Sequence, residues 1–495
     1  MTEHDRELEL GRRLRSWYQA EVDETVGVPL PLRAAVRAIP AETRWSSGRR
    51  PMLLVAAAVA TAAIAGALTV GSNLVRLPSE PPAPSRNLAV VPASPSPMAA
   101  SSADARPSAP VATTTPSFVP GFHSTADTST PRYQHTATLL DDGRVLVAGG
   151  RSLSDSHLGT SEFWDPATGT FSPGPSLRLA RFGHEAIHLR DGRVVIVGGF
   201  VAGGDADDHA TKEIELWDPA TGTFRAAGRT TVARNGSLSA VLLADGRVLI
   251  IGGGECDLPA NPQPSRFEAR RLCTEQQLTT EIWDPATELS AASGVLEEEH
   301  DWGAATLLAD GRVFLLGGGG LPTIGSEVWD PATGAWARGG GPADARLGSE
   351  SVTRLADGHV LVIAGQTGKL TDEGYRPPLR SAEIWDPTTG RFAPSGTLAF
   401  ARERHTATLL PDGRVLVAGG MGPLGDDFSD SGVAGAEIWD PASGTFADAG
   451  VMAMGRGLHT ATLLDDGRVL IIGGLTREEQ ADPAGATASA EIWTP

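Results

Sequence analysis

Lysine is nearly absent from this 495-residue chain: of 41 basic residues only Lys212 and Lys369 are lysines, and acidic residues outnumber the basic ones to leave a net charge of −19. A surface that grips nucleic acid needs a basic stripe, so that class of partner is excluded. Cysteine is equally scarce, with Cys256 and Cys273 alone, both in one loop. Two thiols do not make a zinc site, and no other metal or cofactor set is assigned. In an exported domain such a pair is expected to close as a local disulfide. There are three tyrosines, and aromatic residues make up 5% of the chain. Only one apolar run is long enough to span a bilayer. No Gly-x-Ser-x-Gly, His-Glu-x-x-His or other hydrolase signature is present.

The apolar run covers residues 52–75 and carries no charge. About 20 such residues cross the hydrocarbon core, so a single transmembrane helix is expected over residues 51–76. Arg44, Arg49 and Arg50 precede it and Arg76 follows, which places the N-terminus in the cytoplasm and the remainder outside. Residues 1–50 read as a short helical tail, with Leu10, Leu14 and Trp17 on one stripe, available to a cytoplasmic partner. Ala58, Ala62 and Gly66 recur every four residues within the span, a spacing that also permits close helix pairing. Residues 77–116 turn to Pro, Ser, Ala and Thr without periodicity and read as a disordered spacer.

From residue 117 to 495 one sentence is repeated seven times. Its Asp-Gly pair begins at Asp142, Asp191, Asp245, Asp310, Asp357, Asp412 and Asp466, an average spacing of 54 residues. Each copy ends in a Trp, at Trp164, Trp217, Trp283, Trp329, Trp385, Trp439 and Trp493. Within a copy, a first strand leads into the Asp-Gly turn, expected to be a tight hairpin. A continuously apolar second strand ends in Gly-Gly (Ala364-Gly365 in the fifth copy). Continuous hydrophobicity suits a strand buried on both faces. A variable loop, the Trp strand, a turn of the Asp-Pro-Ala-Thr-Gly type and a fourth strand follow. The glycine pair is expected to admit the Trp ring of the same copy.

A period of roughly 50 with four strands per unit is that of a propeller. The Gly-Gly strand, the Trp-Asp-Pro and the aromatic after the turn resemble the kelch-repeat family, which includes the central domain of galactose oxidase. The resemblance implies an all-β, seven-bladed β-propeller of membrane-anchored bacterial type. The last copy stops after its Trp strand, so residues 118–122 are expected to supply the missing strand and close the ring.

The turns on one rim are short and uniform, whereas those on the other, including residues 254–279, 366–380 and 421–435, vary in length and content. The second rim is therefore the expected binding face. On it an Arg-x-x-His precedes the first strand at Arg132/His135, Arg181/His184, Arg402/His405 and Arg456/His459, while Leu238, Gly303 and Glu350 stand at the His position elsewhere. By resemblance to kelch proteins that bind acidic peptides, these arginines would present forks to a carboxylate or a sugar. The same residues could equally serve the repeat, through carbonyls of a neighbouring blade. Acidic loops at Asp205, Asp207, Asp208 and His209, and at Asp426, Asp427 and Asp430, offer oxygen ligands without the spacing of a calcium loop. Residues 297–301 read as a solvated connection. The expected function is a membrane-anchored extracytoplasmic module that recognises a protein, peptide or glycan, rather than an enzyme. The alternative is a galactose-oxidase-like or carbohydrate-active enzyme. Against it, the resemblance implies a copper held by two Tyr and two His, and only Tyr133 and Tyr375 lie in the repeats. It also implies a copper-binding His on a domain after the propeller, where this sequence shows none.

Overall fold

A computed structural model describes residues 120–495, apart from 154–156, 203–207, 254–277, 299, 301, 319–324, 370–375, 425–426 and 478–484. The tail, the apolar run and the spacer lie outside these residues, as do Cys256 and Cys273. Among the described residues no helix is long and apolar enough to cross a membrane.

Seven antiparallel sheets form the blades of a propeller. Blade 1 runs Thr136–Leu139, Val145–Ala148, Ser161–Asp165 and Thr170–Pro173 in spatial order, and the other blades repeat this meander. The first strands neighbour one another in a closed cycle, so they line the axis. Each second strand is buried throughout, as at Val194–Val197 and Val469–Ile472, because blades pack against both its faces. Blade 2 is the largest, since Arg181–Phe182 and Phe200–Ala202 extend its sheet along Asp208–Asp218. In blade 7 the outer place is taken by Gly121–Ser124, which pairs antiparallel with Ala490–Thr494. That strand shares Gly121 and Phe122 with the expected segment but extends to Ser124. Phe122 faces Trp493 across the pair.

Three local expectations change. The Asp-Gly turn is a three-residue loop: Gly143 N–H donates to Leu140 O, and Leu140 N–H donates to Arg144 O. This is a type I turn followed by a left-handed Gly143 (φ 82°). The Asp142 carboxylate accepts both the backbone N–H (3.0 Å) and Nε–H (2.8 Å) of Arg144, which lowers its pKa. Second, the Trp ring fills the seam with the preceding blade rather than the space beside its own glycines. Trp164 packs against Leu470 and Ile472 of blade 7, and its indole N–H donates to Thr125 at 3.2 Å. Third, the glycines admit histidine and backbone. A Cβ on Gly149 would lie 2.7 Å from both Arg181 O and the His184 ring. Ala364, at the matching place in blade 5, holds φ at 51°, a left-handed conformation uncommon outside Gly.

Candidate functional site

The four arginines expected to face a ligand have no exposed surface. Each instead meets a Glu two residues before the Trp of its own blade: Arg132–Glu162 at 2.7 Å, Arg181–Glu215 at 2.6 Å, Arg402–Glu437 at 2.7 Å and Arg456–Glu491 at 2.8 Å. Nη1 of each also donates to the carbonyl of the first glycine of the pair, as from Arg132 to Gly149 O (3.0 Å) and Arg402 to Gly419 O (2.9 Å). The Glu also takes amides from the chain entering the blade, for example Ala399 N–H at 2.7 Å for Glu437. Burial lowers the pKa of Arg402, and Glu437 opposes that shift. The guanidinium groups therefore fasten the entering chain to the blade and leave no fork for a ligand.

Two further members of this set were hidden by an extra residue. Arg234 and Arg346 precede Leu238 and Glu350 by four positions rather than three, and pair with Glu281 and Glu383 at 2.6 Å each. In blade 4 His300 replaces the arginine and lies 2.9 Å from Glu327. The connection 297–301 is thus partly buried at His300. The signal that would have revealed the set is a Glu-x-Trp in all seven copies.

The four histidines bridge blades. Nε2 of His184 lies 3.0 Å from Thr136 Oγ1, of His405 2.9 Å from Ser351 Oγ, of His459 3.0 Å from Thr406 Oγ1, and of His135 3.0 Å from Thr460 Oγ1. In each case the hydroxyl is the first residue of the preceding blade's inner strand. Burial pushes the pKa of His184, His405 and His459 down to about 3, with the nearby arginines acting in the same direction, and that of His135 down well below its ordinary value. They are neutral structural groups near pH 7.

The pairing fails at three seams; between blades 3 and 4 Gly303 stands at the histidine position and Ser239 Oγ–H donates to its carbonyl instead. Between blades 2 and 3 the hydroxyl position holds Glu185 and the histidine position holds Leu238. Between blades 4 and 5 these positions hold Ala304 and Glu350. Glu350 is buried with both carboxylate oxygens unpartnered, packed over Gly317. Burial raises the pKa of Glu185 and of Glu350 to about 7.

Around the mouth, the residue before each histidine position is left-handed in six blades: Gln134, Gly183, Trp302, Ser349, Arg404 and Leu458. Backbone hydrogen bonds link them between blades, as from Gly183 N–H to Gln134 O (2.9 Å), Arg404 N–H to Ser349 O (3.1 Å) and Leu458 N–H to Arg404 O (3.1 Å). Among the described residues this chain of bonds is interrupted between Gly183 and Trp302. A pocket of about 210 Å³ sits at the interruption. Gln134, Glu185 and Trp302 line it together with His135, His184 and Leu238; Gly183, Gly236 and Gly303 contribute backbone only. The candidate site that the topology assembles is this pocket, which takes in two of the expected residues, His135 and His184.

The remaining expected sites are dispersed. Asp205, Asp207 and Asp426 lie outside the described residues, and Asp208 lies 3.0 Å from His157 Nε2. No group of three or more His, Cys, Asp or Glu among the described residues is placed to hold a metal ion. The mouth histidines are engaged with hydroxyls, Tyr133 is buried, and Tyr375 lies outside the described residues. The described residues thus do not fit a copper centre built from Tyr and His.

No family model matches the chain. It is similar to two curated galactose oxidases of Gibberella zeae, each 25% identical over 331 residues, a match that covers 52% of this chain and 45% of theirs. The chain thus spans less than half the length of the curated relatives it matches. Among solved structures it is similar to a fungal alcohol oxidase of the AA5 family in complex with copper. That likeness has a TM-score of 0.58 and 17% identity and covers 76% of this chain and 77% of the other. Together with the seven blades, these likenesses fit a galactose-oxidase-like kelch propeller.

Proposed function

We propose that the chain is a membrane-anchored recognition module whose propeller stands outside the cytoplasm and binds a protein, peptide or glycan at the mouth on its loop-rich rim. The observation that carries this reading is the pocket at the break in the inner ring, whose lining includes an exposed Trp302, Glu185 and Gln134. An aromatic face beside a few polar groups on a rigid frame is the usual composition of a ligand site. Anchoring rests on the uncharged run at residues 52–75. A glycan and peptide array probed with the full chain is expected to return a ligand whose binding is lost in Trp302→Ala. A ligand unaffected by that change would move the site elsewhere on the rim, and an array without ligands would reject the module. Recovery of the chain in the soluble fraction after alkaline extraction of membranes would reject the anchor.

A second reading, a galactose-oxidase-like or carbohydrate-active enzyme, is supported by the identities of the relatives. Incubation with copper and galactose, followed by peroxide detection, is its direct test. Sustained turnover would establish it over the binding module.

A further inference from the structure

Three features of the mouth bear on what it recognises. All six buried arginines are committed to glutamates within their own blades, so none faces the pocket. The two histidines that line it are neutral. Its one charged lining group is Glu185, whose position in blades 1, 6 and 7 carries a threonine bonded to the next blade's histidine. Leu238 replaces that histidine here, so the carboxyl lacks the partner that those threonines have across the seam. The seam between blades 4 and 5 also lacks the pair, and there Glu350 is buried with both carboxylate oxygens unpartnered. Across the pocket Trp302 is 40% exposed, an unusual placement for so large an apolar ring.

A carboxyl group, an aromatic face and a side-chain amide about a cavity of about 210 Å³ suit one chemical class, an organic cation of side-chain size. Building on the recognition reading, we infer that the mouth receives the ammonium or guanidinium end of a lysine or arginine side chain of a protein or peptide ligand. The cation ion-pairs with Glu185, lies against the Trp302 face and bonds to the Gln134 side-chain oxygen. An acidic ligand, which the arginines were expected to attract, would instead meet a carboxylate in a chain of net charge −19. Burial holds the Glu185 pKa near 7, and an incoming cation favours its charged form. Binding therefore releases a proton, and affinity rises between pH 6 and pH 8 while His135 and His184, the other titratable lining groups, stay neutral.

The test titrates the full chain with the N-acetyl, N-methylamide derivatives of lysine, arginine and norleucine, and with galactose, followed by saturation-transfer NMR. The lysine and arginine derivatives are expected to bind at least about ten-fold more tightly than norleucine, which shares the stem without the charge. Glu185→Gln should abolish that preference, and Trp302→Ala should weaken both cations by about five-fold. Circular dichroism and denaturation midpoints of the variants report whether the fold is retained. Equal binding of norleucine and lysine derivatives, or a preference that survives Glu185→Gln in a folded variant, overturns the inference. Galactose binding without cation binding would also overturn it while leaving a glycan-recognition module standing.

Discussion

Arg402 separates a structural from a ligand-binding role most sharply. Replacing it by Met keeps much of the aliphatic stem and removes donors to Glu437, Gly419 O and Gly435 O. Glu437 then remains buried with a charge and, among the described residues, with the Ala399 amide as its remaining donor. Removing one partner of a buried ion pair costs about 3–5 kcal/mol, most of it the stranded charge. Pairing Arg402→Met with Glu437→Gln removes that charge, so the double variant should recover roughly half or more of the loss. Tryptophan fluorescence during urea unfolding follows this well, since five of the Trp rings are almost wholly buried between blades. A single variant losing less than about 1 kcal/mol would refute the reasoning, as would a double variant no better than the single one. Such a result would return Arg402 to the ligand face.

Other consequences follow from the buried titrating groups and the glycines. His459 has a folded pKa of about 3, so below its ordinary value of 6.5 the unfolded chain takes up a proton that the folded chain refuses. Stability should fall as pH drops from 6.5, by at most about 1.4 kcal/mol per unit for each such histidine, and His459→Gln should reduce the difference in urea midpoint between pH 7 and pH 5. Glu350 acts in the opposite sense. Its pKa is raised from 4.5 to about 7, so its charge destabilises the fold above pH 7 and that cost disappears as pH falls. Glu350→Gln should therefore stabilise by up to about 3 kcal/mol at pH 8 and hardly at all at pH 4.5, and a gain that does not vary with pH would contradict this. Gly149→Ala places a Cβ 2.7 Å from Arg181 O, whereas Gly413→Ala meets nothing within 4 Å although both glycines are left-handed. The first should cost at least about 1 kcal/mol more than the second in denaturant unfolding.

The repeats made the architecture legible. Seven Asp-Gly turns and seven Trp strands announce seven sheets, because each must bury its second strand between neighbours. What the repeat conceals is which partner each polar residue takes. Arg132 and Arg402 read as ligand forks because their glutamates stand about thirty residues further on, in a strand read mainly for its Trp. One inserted residue in each case takes Arg234 and Arg346 out of the Arg-x-x-His register. The pocket was illegible for a different reason. Gln134, Glu185 and Trp302 belong to blades 1, 2 and 4, and only the closure of the ring brings them to one place. Glu185 stands out only against its neighbour across the seam, Leu238, which offers no polar side chain.

The histidine-to-hydroxyl bonds run unbroken from blade 5 through 6, 7 and 1 to blade 2. Blades 3 and 4 are held to each other by Ser239 Oγ–H donating to Gly303 O (2.8 Å). Along its inner strands the wheel is thus riveted as an arc of five blades and an arc of two. At either end of the shorter arc this rivet is missing and the blades are joined elsewhere, as by Trp283 Nε1–H to Ala227 O and Trp385 Nε1–H to Gly339 O among the described residues. Thermal breathing should start at those joints, so amides of Ser239–Leu242 and Ser351–Arg354 should exchange with deuterium faster than those of Thr406–Leu409. One joint adjoins the pocket, so a ligand lodged there would act as the missing rivet and slow the exchange beside it.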